Sequence, residues 1–133
     1  MRLGIGCAAL LALVSCGEAE MPGEAEGARV YASNCAACHG ESGRGDGAGA
    51  VDRAPAPADL TLISQRAGGR FPVSMVLSKI DGYSADDAAR AAMPEFGAML
   101  RGEMVPVETE DGVMTPTPRP LAALLAHLQI IQK

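Results

Sequence analysis

Cys35, Cys38 and His39 form the strongest chemical signal in this sequence, within the run C-A-A-C-H-G at positions 35–40. Two thiols three residues apart, followed directly by an imidazole, are typical of covalent attachment of a c-type haem. The thiols would add to the two vinyl groups of the porphyrin, and the ring of His39 would bind the iron from one face. The motif therefore predicts one covalently bound haem c.

The second face of the iron needs another ligand, and Met93 is the strongest candidate. Pro94 follows it and disfavours the helical conformation at Met93, which favours a rigid extended loop that presents the sulfur. Met93 lies 93 − 39 = 54 residues beyond His39, enough chain to pass round a haem. The sequence therefore predicts iron held between His39 and Met93.

The other methionines and the second histidine give weaker alternatives for this position. Met114 ranks next and Met104 after it, whereas Met75 and Met99 are expected to fill the core. His127 lies on or beside the apolar stripe of the last helix and is expected to be a buried or half-buried histidine.

Three segments have helical patterns that could position these residues. Residues 27–34 lead into the thiol motif, and Val73, Val76, Leu77 and Ile80 share one helical face between Pro72 and Gly82. The C-terminal helix has Thr117 as its expected N-cap and Pro118 as its first residue, with an apolar stripe of Leu121, Leu124, Leu125, Leu128 and Ile131 or Gln132. A further short turn is expected from Ser84 to Arg90. No run alternates clearly enough to predict a strand.

Two loops follow the thiol motif. Residues 40–49 have glycine at nearly every second position, which indicates a loop that passes close to something bulky. Residues 55–61, rich in proline, are expected to be extended, and one of their carbonyls is a candidate to accept the Nδ1 proton of His39.

Length and composition favour one small exported domain. The chain has 133 residues, 3% aromatic side chains and no tryptophan, so an apolar haem would supply bulk that the core otherwise lacks. The formal net charge of -5 and the scattered basic residues argue against nucleic-acid binding.

The N-terminus has the features of a secretory signal. A basic Met1-Arg2 start precedes an apolar run that is too short to span a bilayer, which needs about 20 residues. Residues 13–16, L-V-S-C, resemble the lipobox of bacterial lipoproteins, in which cleavage leaves Cys16 lipidated at the new N-terminus. An ordinary signal cut near Ala19 or Met21 is the alternative.

A lipoprotein signal together with a haem motif accounts for all four cysteines without a disulfide. Cys7 leaves with the signal, Cys16 carries lipid, and Cys35 and Cys38 carry haem. The expected organisation is a lipoprotein-type signal peptide at 1–15, a flexible acidic tether at 16–26 and one domain at 27–132. Loss of Arg2 would make the mature charge -5 - 1 = -6.

These motifs together resemble the class I c-type cytochromes, and most closely the small single-haem bacterial domains. The matching parts are Tyr31, the motif at 35–40, P-A-D-L-T at 57–61, M-P-E-F-G at 93–97 and the final helix. The resemblance implies an all-α fold whose N- and C-terminal helices cross beside one haem, His39/Met93 ligation and one-electron transfer. Two departures are His127, where the family usually has an aromatic residue, and the long segment at 101–117, rich in proline and acidic residues.

The expected function is that of an electron carrier and not an enzyme, located in the bacterial periplasm and lipid-anchored to a membrane. Redox proteins such as an oxidase, a dehydrogenase or a quinol-oxidising complex are the expected partners, through a positive or apolar docking site. The alternatives are a haem-bearing subunit of a larger respiratory complex, and a sensor or peroxidase with an open iron face. Arg53, Arg66 and Arg70 are equally suited to pairing with haem propionates or to being solvated.

Overall fold

The computed structural model describes residues 20–83 and 93–133. Within these ranges the elements are α1 (Glu24–Asn34), α2 (Ala36–His39), α3 (Ile63–Arg66), α4 (Val73–Asp81), β1 (Met104–Glu108), β2 (Met114–Pro118) and α5 (Arg119–Ile130), with 3-10 turns at Ala48–Ala50 and Leu60–Leu62. The turn expected at Ser84–Arg90 and the signal and lipidation residues, Cys7 and Cys16 among them, lie outside the described residues.

Helices α1 and α5 pack directly against each other, as the resemblance implies for the first and last helices. Gly27 makes this approach possible, since a Cβ atom there would lie 2.1 Å from the carbonyl oxygen of Ala123. One turn further on, the rings of Tyr31 and His127 are 5.0 Å apart and tilted by 44°. His127 therefore takes the place of the expected aromatic residue at the helix contact.

The core is formed mainly by α4 and α5 on the faces that the sequence predicts. Leu121, Leu124, Leu125 and Leu128 are buried, as are Val73, Val76 and Ile80, while Leu77 and Ile131 pack at the edge. Each fully buried aliphatic side chain contributes about 1.5–3 kcal/mol. Helix α4 begins after Pro72 and ends at Gly82, whose φ of 94° is left-handed, so that prediction is confirmed.

The fold is mostly helical, and the expectation of an all-α fold without strands is wrong in one respect. Strands β1 and β2 form an antiparallel hairpin in which Val105 and Val107 point into the core. Pro106 lies opposite Pro116, and neither can donate to the ladder. This pair must therefore be non-hydrogen-bonded, with the absent N–H groups on the outer edges of the hairpin. Proline concealed the strand pattern and also protects the edges from further pairing.

The hairpin leads straight into α5, which changes the start of that helix. Thr117 lies in β2 and its hydroxyl donates to the carbonyl of Thr115 (3.0 Å), so it does not cap the helix. Pro118 is the cap residue and Arg119 the first helical residue, while Pro120 stays in the first turn as expected.

The tip of the hairpin is tied to α4 through Glu110. Its carboxylate accepts from the backbone N–H of Ser74 (3.0 Å) and from the Ser74 hydroxyl (3.1 Å), and these bonds lower the pKa of Glu110. Arg70 donates to the Glu110 carbonyl (3.2 Å). The segment that the sequence marks as unusually long thus braces the first turn of α4.

The expected flexible tether at 16–26 extends too far toward the domain. Helix α1 begins at Glu24, and its first three residues therefore fall within the range predicted to be tether. Pro22 is buried. None of the helices in the described ranges combines the length and apolar character needed to cross a membrane.

Candidate haem-binding site

The thiol motif is held at the junction of two helices. Cys35 ends α1, where its N–H donates to the Tyr31 carbonyl (2.8 Å), and it also precedes α2, where its carbonyl accepts from His39 N–H (2.9 Å). Residues three apart on a helical turn share a face, so the two sulfurs are placed on one side. Burial raises the pKa of Tyr31 to about 12, and its hydroxyl donates to the Gly40 carbonyl (2.7 Å), which ties α1 to the end of the motif.

His39 is oriented by a backbone carbonyl from the proline-rich segment, as predicted. Its Nδ1 lies 3.0 Å from the carbonyl oxygen of Ala58. Because a carbonyl only accepts, Nδ1 carries the proton and Nε2 keeps its lone pair. Such a bond fixes the ring and makes the other nitrogen a stronger ligand.

Asp59 fixes the turn that presents this carbonyl. Its carboxylate accepts from the Thr61 hydroxyl (2.6 Å) and from Thr61 N–H (2.8 Å), and these bonds lower the pKa of Asp59. The turn caps the 3-10 segment Leu60–Leu62, so the extended chain before it is held in one place.

The glycine-rich loop passes close to backbone atoms of α2. Gly45 N–H donates to the His39 carbonyl (2.7 Å) and Gly47 N–H to the Cys38 carbonyl (3.2 Å). A Cβ atom on Gly47 would lie 2.4 Å from the Ala37 carbonyl oxygen. The close neighbour that the sequence predicts is therefore the helix that carries the motif.

The candidate haem ligands line two apolar cavities that have lining residues in common. Two cavities of about 320 and 370 Å³ have five lining residues in common: Cys35, His39, Ala58, Lys79 and Met93. Cys38, Pro55, Pro57, Pro94 and Phe96 line the first, and Leu60, Ile63, Val76, Ile80, Leu124 and Leu128 line the second. Met93 is half-buried and packs against the core. The structure thus brings both thiols, the imidazole and the predicted thioether to one apolar space that suits a flat apolar group.

The charged side chains that line this space are all basic. Arg53 and Lys79 line the first cavity, and Arg66 and Lys79 line the second, whereas no aspartate or glutamate of the described residues lines either. Arg70 lies instead beside the hairpin tip. Lys79 was missed from the sequence, although it lies three residues after Val76 and so beside the buried face of α4.

Two of the remaining methionines, Met75 and Met99, are not where the sequence predicts them. Met75 and Met99 were expected in the core but are 57% and 60% exposed, and Met75 also lines the second cavity. Met104 and Met114 lie exposed in the hairpin and do not line either cavity. His127 lies outside both cavities, against Tyr31.

The two described cysteines are free thiols, and Cys35 has little tendency to ionise. Burial, and to a lesser degree the neighbouring Cys38, raises the pKa of Cys35 to about 11. A redox-active pair with this spacing depends on a lowered thiol pKa, so the environment does not suit dithiol catalysis. No group of three or more His, Cys, Asp or Glu side chains suited to a free metal ion occurs among residues 20–83 and 93–133.

Comparison with known proteins gives one family match. The model of the family described as Cytochrome c matches residues 24–111, more than half of the 133 residues. The match begins at the first residue of α1 and ends in the hairpin turn. Curated proteins and solved structures gave no match.

Proposed function

Because this chain belongs to the cytochrome c family, whose domains bind haem c covalently, we propose that it is a single-haem electron carrier with His39 and Met93 as axial ligands. The family is typically one of electron carriers rather than enzymes. The observation that carries the proposal is the first cavity of about 320 Å³. It is lined by both thiols of the motif, by the oriented imidazole and by Met93.

Different residues of the chain attach the haem and orient its ligand in this proposal. Cys35 and Cys38 attach it covalently, and His39 is kept in one orientation by the Ala58 carbonyl. The bound haem supplies a one-electron change between ferrous and ferric iron. The thioether of Met93 favours the reduced state, and the surrounding proline, leucine and valine side chains exclude water.

The basic side chains of the cavities hold the carboxylates of the haem in this proposal. Lys79, common to both cavities, is the leading residue, with Arg53 and Arg66 at either side. Removing a positive charge near the iron stabilises the ferric state. Lys79→Met is therefore expected to lower the reduction potential, while Lys79→Arg leaves it nearly unchanged.

The proposed location is the bacterial periplasm, with the chain anchored through lipid on Cys16. The basic start, short apolar run and L-V-S-C sequence at 13–16 support export and lipidation. The proposed partners are redox proteins, such as an oxidase or a dehydrogenase, that contact the apolar rim of the cavity. Exposed Pro55 and Pro94 line this cavity, and the mature charge favours a positive or apolar docking site.

Optical spectra of the oxidised holoprotein test the ligand assignment. Wild type is expected to show the weak far-red band of Met-ligated ferric haem, and Met93→Ala is expected to lose it. Met75→Ala is the matched control, because Met75 also lines a cavity, and it should keep the band.

Carbon monoxide binding tests the carrier function itself. Ferrous wild type should bind it poorly, and Met93→Ala should bind it readily. Ready binding to wild type would instead indicate an open iron face, as in a sensor or a peroxidase. Co-purification in mild detergent distinguishes a free carrier from a subunit of a larger complex.

A further inference from the structure

The segment before α1 is attached to the body of the protein. The carbonyl of Glu20 accepts a hydrogen bond from a guanidinium N–H of Arg119 (2.6 Å), and Pro22 is buried. The Gly23 carbonyl accepts from Glu26 N–H (3.0 Å) as the helix begins. The chain is therefore already in contact with the domain at residue 20.

Arg119 is the residue that makes this attachment. Its Nε and Nη2 donate to the two carboxylate oxygens of Glu26, at 3.1 and 2.9 Å, a paired geometry that is stronger than a single contact. Its backbone N–H donates to the Glu103 carbonyl (2.7 Å). One arginine thus joins the N-terminal segment, the first turn of α1, the start of α5 and the residue before β1.

Few residues separate this attachment from Cys16. Only residues 16–19 lie before Glu20, and four residues span at most about 14 Å. The thiol motif begins at the other end of α1, whose 11 residues make a helix about 16 Å long. The point of exit from the domain and the thiol motif are thus separated by the length of this helix.

We propose that Arg119 fixes the exit of the lipid anchor, so that the N-terminal ends of α1 and α5 face the bilayer and the thiol motif is held away from it. This inference rests on the proposed lipidation of Cys16, and its partner is the surface of a lipid bilayer. A tether that was free up to residue 26 would let the domain rotate, whereas the bound segment gives it one preferred orientation.

Linear dichroism of the haem absorption measures this orientation. The mature lipidated holoprotein is bound to flow-aligned phosphatidylcholine vesicles, and wild type is compared with Arg119→Gln. Wild type should show a clear dichroic signal, and Arg119→Gln should lose at least half of it. Arg101→Gln, which changes an exposed arginine near the hairpin, is the matched control and should keep the signal.

Cleavage by a glutamate-specific protease tests the attachment without a membrane. In detergent-solubilised holoprotein, cleavage after Glu20 and Glu26 should be slow in wild type and several-fold faster in Arg119→Gln. Cleavage after Glu41, an exposed residue of the loop that follows the thiol motif, should change little. Equal rates after Glu20, or equal dichroism in wild type and Arg119→Gln, would overturn the inference.

The mass of the N-terminal peptide separates the two proposals. A chain without lipid on Cys16 would contradict the proposed anchoring and this inference together. A lipidated, membrane-bound chain whose dichroism is absent or independent of Arg119 would overturn the inference alone.

Discussion

His39 and His127 both turn Nδ1 toward the protein, but only the Nδ1 of His39 reaches an acceptor. The Ala58 carbonyl lies 3.0 Å from it, and the ring lines the apolar cavities. The Nδ1 of His127 is buried without a hydrogen-bond partner among the described residues, and its ring lies against Tyr31. His39 is thus held in one orientation beside the cavities, whereas His127 packs as an aromatic ring against Tyr31.

The neighbour of Nδ1 therefore decides whether an imidazole is suited to binding a metal or to packing between helices. An acceptor there fixes the tautomer and leaves Nε2 free to bind a metal. Where the acceptor is absent, burial lowers the pKa of His127, against a smaller opposing effect of Glu24. A neutral, desolvated ring suits helix packing, and its polar atoms are an energetic cost there.

The largest difference is expected when each ring is removed. His39→Ala should reduce the low-spin haem fraction at least tenfold, because groups that only support a ligand are already worth about 10–100-fold. His127→Ala should keep the low-spin spectrum. The measurement is the absorption spectrum of purified protein at equal total haem, and equal spectra for the two variants would contradict the division of roles.

A second test replaces the packing histidine by a ring without polar atoms. His127→Phe should stabilise the fold by about 1–3 kcal/mol, the cost of a buried unpaired polar group. His127→Gln keeps a polar group there and should give no gain. Denaturant unfolding of the holoproteins measures the difference, and a less stable Phe variant would show that His127 has a partner that it needs.

The pH dependence of stability provides a third test. Because the pKa of His127 is lowered in the folded state, the unfolded chain binds more protons between that value and its ordinary 6.5. Wild-type stability should therefore be full above this window and fall as the pH decreases through it. The advantage of His127→Phe should grow as the pH falls below about 7 in thermal unfolding, and a constant difference would contradict this sign.

The smallest effect is expected from loosening the acceptor of His39. Asp59→Ala removes the turn that holds the Ala58 carbonyl, so His39 should become a weaker donor and the reduction potential should rise slightly. Asp59→Asn keeps an acceptor oxygen and is the control. Potentiometric titration measures both variants, and equal potentials would show that the carbonyl stays in place without the carboxylate.

Local patterns were enough to predict the elements nearest the site. The spacing of Cys35, Cys38 and His39, the apolar stripes of α4 and α5, and an acceptor carbonyl within 55–61 all follow from short stretches of chain. The axial role of Met93 stays a prediction, although the residue lies in the same cavity as His39.

What the sequence did not predict depends on contacts between distant residues. Pro106 and Pro116 weaken any strand pattern when each strand is considered alone, and their opposition appears only in the paired hairpin. Arg119 meets Glu26 across 93 positions. The exposure of Met75 and Met99 likewise depends on which surfaces the rest of the chain leaves uncovered.

The pairing of α1 with α5 also has a consequence for the order of assembly. An isolated helix of 11 residues is marginal in water, and the helix that buries α1 begins 119 − 34 = 85 residues after α1 ends. Closing so long a loop is slow as well as entropically costly. Before α5 docks, α1 lacks the helix that stabilises it, and we expect the thiols of Cys35 and Cys38 to be most open to covalent chemistry at that stage.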